Sequence, residues 1–294
     1  MKKSEFLFAV ICFCFLYTEA AAKDAVLWYL PNFPPYVIVQ GQDKDLGIDN
    51  QIIQELRQKL PEYEHQLLTV NYKRALRNLK QPVPAAITPL FKTPDREKYI
   101  LYSGIPSYLV LPNGVVIAKS VRKKFTPFLQ NDGKLDIEAL IRSKTVKIGI
   151  DAGRSYSGII DEMIRKYRNS GVFIEVSGED MFLNLIRLML RGRIDAAFGF
   201  PVEARYLAKL NGIDKNLLEA LPVSGMEPFT PVYVGASKTR VGEKMIARIN
   251  DILREAGTIE RFTGFYEYWL DDTSKDHYRK LVKEYYRDKT GSGK

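Results

Sequence analysis

A repeated alternation between short apolar runs and amphipathic stretches restricts the fold of this chain more than any other feature. Apolar runs at 25–29, 66–70 and 85–88 read as strands. Between them, 48–60 carries apolar side chains at 48, 52, 53, 56 and 60, the stripe of an amphipathic helix that Pro61 ends. Residues 72–79 predict a short helix with Ala75, Leu76 and Leu79 inward. The prolines of Pro31-Asn32-Phe33-Pro34-Pro35-Tyr36 forbid helix there, and 37–39 reads as another short strand. The alternation then recurs, with strands at 115–118, 146–150, 172–176 and 194–198 and helices at 137–142, 155–169 and 179–191. A strand at 231–236 and a helix at 242–256 are left over, and 259–269 closes the body. Such a pattern predicts an α/β fold with largely parallel sheets.

At 294 residues the chain exceeds one average domain, and its length favours two. The leftover strand is expected to return to the first unit, which puts two crossings near 109–114 and 222–231. Two units joined by two strands make a hinge, and the cleft between them is the default ligand site. The expected division is lobe 1 at 23–110 with 226–270, lobe 2 at 111–225, and a charged, fraying tail at 271–294.

The first 22 residues stand apart from this body. Lys2 and Lys3, an apolar run at 6–17 and Ala20-Ala21-Ala22 have the layout of a cleavable secretory signal peptide. The run is too short to span a bilayer, which takes ~20 residues. A periplasmic location is therefore expected. Cys12 and Cys14 both fall inside it, so the mature chain has no thiol for disulfides, metal or catalysis. The net charge of +9 is spread along the chain without a clustered basic stripe, which argues against nucleic acid as a partner. His65 and His277 lie far apart in sequence, so no metal or other cofactor is expected.

Five motifs in order carry a resemblance. Gly47-Ile48-Asp49 follows the aromatic–proline loop. Thr88-Pro89-Leu90-Phe91-Lys92-Thr93-Pro94-Asp95-Arg96 and Tyr102-Ser103-Gly104-Ile105-Pro106-Ser107-Tyr108 come next. Val146-Lys147-Ile148-Gly149-Ile150 leads into Gly153-Arg154-Ser155-Tyr156, and Gly192-Arg193-Ile194-Asp195-Ala196-Ala197 closes the series. Together they resemble the bacterial extracellular solute-binding proteins of family 3, closest to members with Lys-Thr-Pro-Asp/Glu-Arg wording. The resemblance implies a two-lobed type II periplasmic binding protein fold with two hinge crossovers.

It also implies that Arg96 clamps a ligand carboxylate. A planar guanidinium offers two parallel N–H donors to such a group. The alternative is a solvated Arg96 paired with Asp95 or Glu97. The motif match places Thr88 and Phe91 along the cleft. Tyr36 is expected to stack on the ligand, whereas Tyr29 and Phe33 read as core. Ser155 is expected to cap a helix and contact the ligand, with Arg154 beside it either adding charge to the cleft or pointing outward. Tyr108 is expected near the hinge. Asp49 is expected to support a helix start and Asp195 to fix a turn. Arg74, with Lys73, reads as a solvated face that could reach the cleft. Where the family carries an acid for a ligand ammonium, this chain has Phe200. Glu203 or Glu227 are the candidate substitutes.

The expected function is a monomeric solute-binding protein that captures a small carboxylate-bearing or amino-acid-like molecule by hinge closure and presents it to a membrane permease of an ABC-type system. The alternatives are an enzyme on the same fold, dehydratase-like or peptidoglycan lyase-like, and an orphan sensor for a membrane receptor. No Gly-x-Ser-x-Gly, His-Glu-x-x-His or phosphate-loop motif favours chemistry.

Overall fold

The structure is a computed structural model that describes residues 23–152, 154–178 and 180–290. The expected signal peptide, both cysteines, Gly153 and the terminal Gly-Ser-Gly-Lys lie outside the described residues. The first half of the chain forms β1 (Asp24–Leu30), α1 (Ile48–Lys59), β2 (Tyr63–Thr69), α2 (Tyr72–Asn78), β3 (Ala85–Leu90), α3 (Pro94–Glu97), β4 (Ile100–Tyr102), β5 (Tyr108–Val110), β6 (Gly114–Ala118), α4 (Ile137–Ser143) and β7 (Ile148–Asp151). Then come α5 (Gly158–Lys166), β8 (Phe173–Val176), α6 (Met181–Leu190), β9 (Ala196–Gly199), α7 (Pro201–Leu210), β10 (Leu218–Leu221), β11 (Thr230–Ser237), α8 (Arg240–Arg254), α9 (Thr258–Glu267) and α10 (Asp272–Thr290).

One sheet has the order β2-β1-β3-β11-β4, with β5 also on β11; the other runs β10-β6-β9-β7-β8. The chain leaves the first sheet between β5 and β6 and returns between β10 and β11, so two crossings join two lobes. The sheets are mixed, not largely parallel. β1 is parallel to β2 and β3, and β7 to β8 and β9. β11 is antiparallel to β3, β4 and β5, and β6 to β9 and β10. The reason is the crossings. Strands of strand–helix–strand units end at the cleft, whereas β6 and β11 enter their lobes from the other lobe and run the opposite way.

Local chemistry fixes the elements nearest the cleft. In α1, Ile48, Ile52, Ile53 and Leu56 are buried against the first lobe's core around Trp28 and Phe262. A Cβ on Gly47 would stand 2.7 Å from Tyr36 O and 2.9 Å from Ile38 N, so only glycine lets the loop press on this helix start. The amide of Asp49 donates to Tyr36 O at 2.8 Å, and that of Ile38 to Asn50 Oδ1 at 2.7 Å. Residues 37–39 form no strand; Phe33 and Val37 make an isolated bridge inside the Pro-rich loop. In the second lobe, Ile148, Ile160 and Phe198 lie within the core.

The stretch expected to fray forms α10 and packs on the first lobe. Tyr278, Val282, Tyr285 and Tyr286 fall at i, i+4, i+7 and i+8, and all join its core or edge. Tyr278 is buried and donates its hydroxyl to Leu109 O at 2.9 Å, while Tyr286 donates to Pro106 O at 3.0 Å. No helix of the described residues is long and apolar enough to cross a membrane.

Candidate functional site

A cavity of about 700 Å³ lies between the lobes, within the ~300–1,000 Å³ of small-molecule pockets. A groove of about 1020 Å³ between α9 and α10 is larger, but only the first lobe lines it. The inter-lobe cavity gathers Arg96 from one lobe and Arg154 and Glu203 from the other.

Arg96 reaches this cavity because of how Thr93-Pro94-Asp95-Arg96 folds. Thr93 is the N-cap of α3, its Oγ1 accepting from the Arg96 amide at 3.3 Å, and Pro94 takes the first helical position. The guanidinium then turns back to donate from Nη1 to Phe91 O at 3.0 Å and lies 5.8 Å over the Tyr72 ring. Neither neighbouring acid holds it: Asp95 pairs with Lys98 and Glu97 with Lys92. Among the described residues no ion pair involves Arg96. Lys73 and Arg74 also line this wall without an ion pair among the described residues.

Arg154 and Glu203 form a pair on the opposite wall. Arg154 donates from Nη1 to Glu203 Oε1 at 3.1 Å and from Nη2 to Oε2 at 2.6 Å, with both side chains nearly buried. The guanidinium lies 4.9 Å over the Phe33 ring, 5.5 Å over Phe182 and 5.4 Å over Phe200. Burial works most strongly against the charge of Arg154, but Glu203, Tyr156 and Asp151 together outweigh it and the guanidinium stays protonated. Arg154 lines the cavity, yet its fork is spent on Glu203. Glu203 is thereby removed as a substitute acid, and Glu227 is exposed outside the cavity.

Ser155 lines the cavity but does not cap α5. Its Oγ donates to Asp161 Oδ2 at 2.5 Å, and the amides of Tyr156 and Ser157 donate to the same carboxylate at 2.7 and 3.1 Å. The N-cap position is Ser157, without a side-chain cap bond. Asp161 thus fills the anion-attracting helix start that was expected to receive the ligand.

Two expected contacts are corrected. Tyr36 is buried behind Phe33, with ring centroids 4.8 Å apart, so Phe33 lines the cavity instead. Thr88 is buried within β3 and donates to Asp49 Oδ1 at 2.5 Å. Asp49 also accepts from Tyr108 Oη at 2.7 Å, which ties the start of α1 to the strand entering the hinge. Burial pushes its carboxyl up to about 7, with the two hydrogen bonds pulling back. Phe91 lines the cavity, and so does Phe200, packed 5.3 Å from the Tyr36 ring. Asp195 accepts from the Lys147 amide at 2.8 Å and Lys124 Nζ at 2.6 Å, a structural position outside the cavity.

Asp151, which the motifs did not single out, is the last residue of β7 and lines the cavity. Its Oδ1 is buried and has no hydrogen-bond partner among the described residues. Burial pushes its carboxyl up to about 6; Arg154 pulls it down, while Glu203 and Glu175 push it up. The available signal was its place at a strand's carboxyl end, where open α/β sheets bind ligands.

Two lobes, two crossings and a charged cavity between them define a two-lobed binding protein of the periplasmic type. The chain belongs to the bacterial extracellular solute-binding proteins, family 3, whose model matches residues 26–272. Similar solved structures include an ancestral arginine-binding protein bound to arginine, at 17% identity over 85% of this chain and 99% of that one, TM-score 0.62. An amino acid ABC transporter substrate-binding protein, AbpA of Streptococcus pneumoniae, bound to L-arginine, is 15% identical over 85% of this chain and 97% of that one, TM-score 0.60. A histidine kinase sensor domain with similarity to periplasmic binding proteins is 13% identical over 84% of this chain and 96% of that one, TM-score 0.63. These likenesses establish the fold. No curated protein matches the sequence. Solute binding is the role that family and fold support.

Proposed function

We propose that this protein captures a small carboxylate-bearing or amino-acid-like solute in the periplasm by hinge closure and delivers it to an ABC-type permease. The observation that carries this reading is Arg96, held toward the inter-lobe cavity by Phe91 O and without an ion-pair partner among the described residues. A guanidinium that faces a cavity without an ion pair is suited to a carboxylate. That two similar structures are bound to arginine, itself a carboxylate, supports the same class. Closure would be selected by the extra contacts that a ligand on Arg96 makes with the second lobe. The working unit is a monomer, with lobes at 23–110 plus 226–270 and 111–225, exported through a signal peptide at 1–22. The proposed role is binding rather than chemistry, in keeping with the family; of the two cleft acids that burial pushes up, Glu203 is occupied by Arg154 and Asp151 ends β7.

The test is a thermal-shift screen of small carboxylates, followed by solution scattering on the binders. Binders should raise the melting temperature and reduce the radius of gyration. A ligand at 100 times its Kd adds about 2.7 kcal/mol to stability. Arg96→Ala should unfold like the wild type yet weaken binding about ten- to hundredfold, the value of a charge-assisted hydrogen bond. Unchanged affinity in that variant rules out the clamp.

A further inference from the structure

The end of the second lobe opposite the cleft carries a charge pattern that the inter-lobe site does not use. α6 and α7 begin at the cavity and end about 15 Å away, at the pole where β7 and β9 start. Directly after β6, a 3-10 turn at Lys119–Lys124 brings Lys119, Arg122, Lys123 and Lys124 to this pole. Lys124 Nζ meets Asp195 Oδ1 at 2.6 Å, and Asp195 Oδ2 accepts from the Lys147 amide at 2.8 Å, so the turn and the starts of β7 and β9 share one surface. Arg191 and Arg193 are exposed just before Asp195. The members of this cluster come from separate stretches of sequence, and the fold gathers them. The acids of the pole do not answer it. Asp195 is held by Lys124, Glu219 by Arg122 at 3.4 Å, and Asp214 Oδ1 accepts from the Asn216 amide at 2.8 Å. Lys119, Lys123, Arg191 and Arg193 are exposed and have no ion pair among the described residues.

Apolar side chains stand among these charges. Leu190 at the end of α6, Leu210 at the end of α7 and Leu217 just before β10 are 36%, 45% and 49% exposed. Arg187 Nη2 donates to Asn211 Oδ1 at 3.2 Å and ties the ends of α6 and α7 together, while Leu218 lies opposite Ala118 at the root of the basic turn. Single exposed leucines are ordinary; three at one pole among Lys and Arg make a surface both basic and aliphatic. A layer of anionic phospholipid answers both, with phosphates for the cations and an acyl boundary for the leucines. An acidic protein surface answers only the charge. We infer that the far pole of the second lobe docks on a bilayer surface rich in anionic phospholipid. Docked so, the cleft faces away from the bilayer and stays open to solute, a pose for capture. The inference requires no particular solute and stands apart from the role of Arg96.

The experiment is flotation of the full chain with vesicles of phosphatidylcholine alone and of phosphatidylcholine with about one third phosphatidylglycerol. It is run at about 0.05 and 0.5 M salt, between which the Debye length shrinks about threefold. Affinity is read as the ratio of mixed to neutral vesicles, which removes any contribution of the apolar run at 6–17. The wild type should favour the mixed vesicles at least ~50-fold in low salt and lose most of that preference in high salt. Lys123→Ala with Arg193→Ala should cut the ratio about 25-fold, at about fivefold for each basic side chain at an anionic surface. Arg240→Ala with Lys244→Ala, two exposed cations on α8 of the first lobe, should leave it unchanged. Leu217→Ser should weaken binding to the mixed vesicles severalfold at both salts. All the replaced side chains are exposed, and melting curves check that the variants fold. Equal binding of the wild type to both vesicles, or the same loss in the α8 variant, overturns the inference. So does an unchanged affinity of Leu217→Ser joined to salt-sensitive retention of the wild type on polyglutamate beads, which assigns the pole to an acidic protein.

Discussion

Asp49 is fully buried inside the first lobe, where its carboxyl accepts from the hydroxyls of Thr88 and Tyr108. Burial raises its folded pKa to about 7 from an ordinary 3.8. The folded state therefore holds the proton more tightly than the unfolded chain. This contribution to stability is fully present below about pH 4 and is lost as pH rises toward 7. A shift of that size is worth on the order of 4 kcal/mol. Denaturant unfolding at pH 4.5 and 7.5 should show Asp49→Asn gaining on the wild type at the higher pH; parallel behaviour would contradict the buried, proton-binding carboxyl. Residue-scale legibility was uneven for physical reasons. Arg96 was singled out by the resemblance alone; the turn that directs it, capped by Thr93 with Pro94 first in α3, is visible only in the fold. Tyr36 and Thr88 were misplaced, because a short motif does not say which face of a loop or strand meets the core. Asp151 was missed because a single carboxylate after a strand has no local pattern to distinguish it.

At the scale of elements, the C-terminal helix shows how charge can hide a packing stripe. Its sequence is mostly charged, yet Tyr278, Val282, Tyr285 and Tyr286 share one face against the first lobe. The charged composition alone predicts a loose tail; the packing stripe shows only in the periodicity. Removing the buried ring with Tyr278→Ala should cost about 3–5 kcal/mol, as for other large aromatics in cores. Tyr278→Phe, which deletes only the bond to Leu109 O, should cost about 1 kcal/mol. Denaturant melts of both variants check the pair; a neutral Tyr278→Ala would mean that the helix does not dock in solution. The strand–helix alternation was legible in both lobes because buried strands and amphipathic helices have different periods. The antiparallel entry of β6 and β11 was not, since it depends on how the lobes connect and not on any segment's own pattern.

At the scale of the molecule, more than two crossings hold the lobes together. Phe33 of the first lobe lies 4.9 Å from the Arg154 guanidinium of the second, and Tyr206 and Trp269 meet edge to face at 5.2 Å. Arg205 pairs with Asp271 across the same side. Cation–π contacts of this kind contribute about 0.5–2 kcal/mol each. Loss of the Phe33 ring should shift the population toward open lobes, so ligand-free Phe33→Ala should scatter with a larger radius of gyration than the wild type. An unchanged curve would show that the ring does not help to close the cleft.

The most direct test of the account is to extract and identify, by mass spectrometry, the small molecules that co-purify with wild-type protein and with Arg96→Ala. The account predicts a carboxylate-bearing solute in near-stoichiometric amount on the wild type and its absence from the variant. The same solute retained by both proteins, or a bound molecule with no acid group, would contradict it.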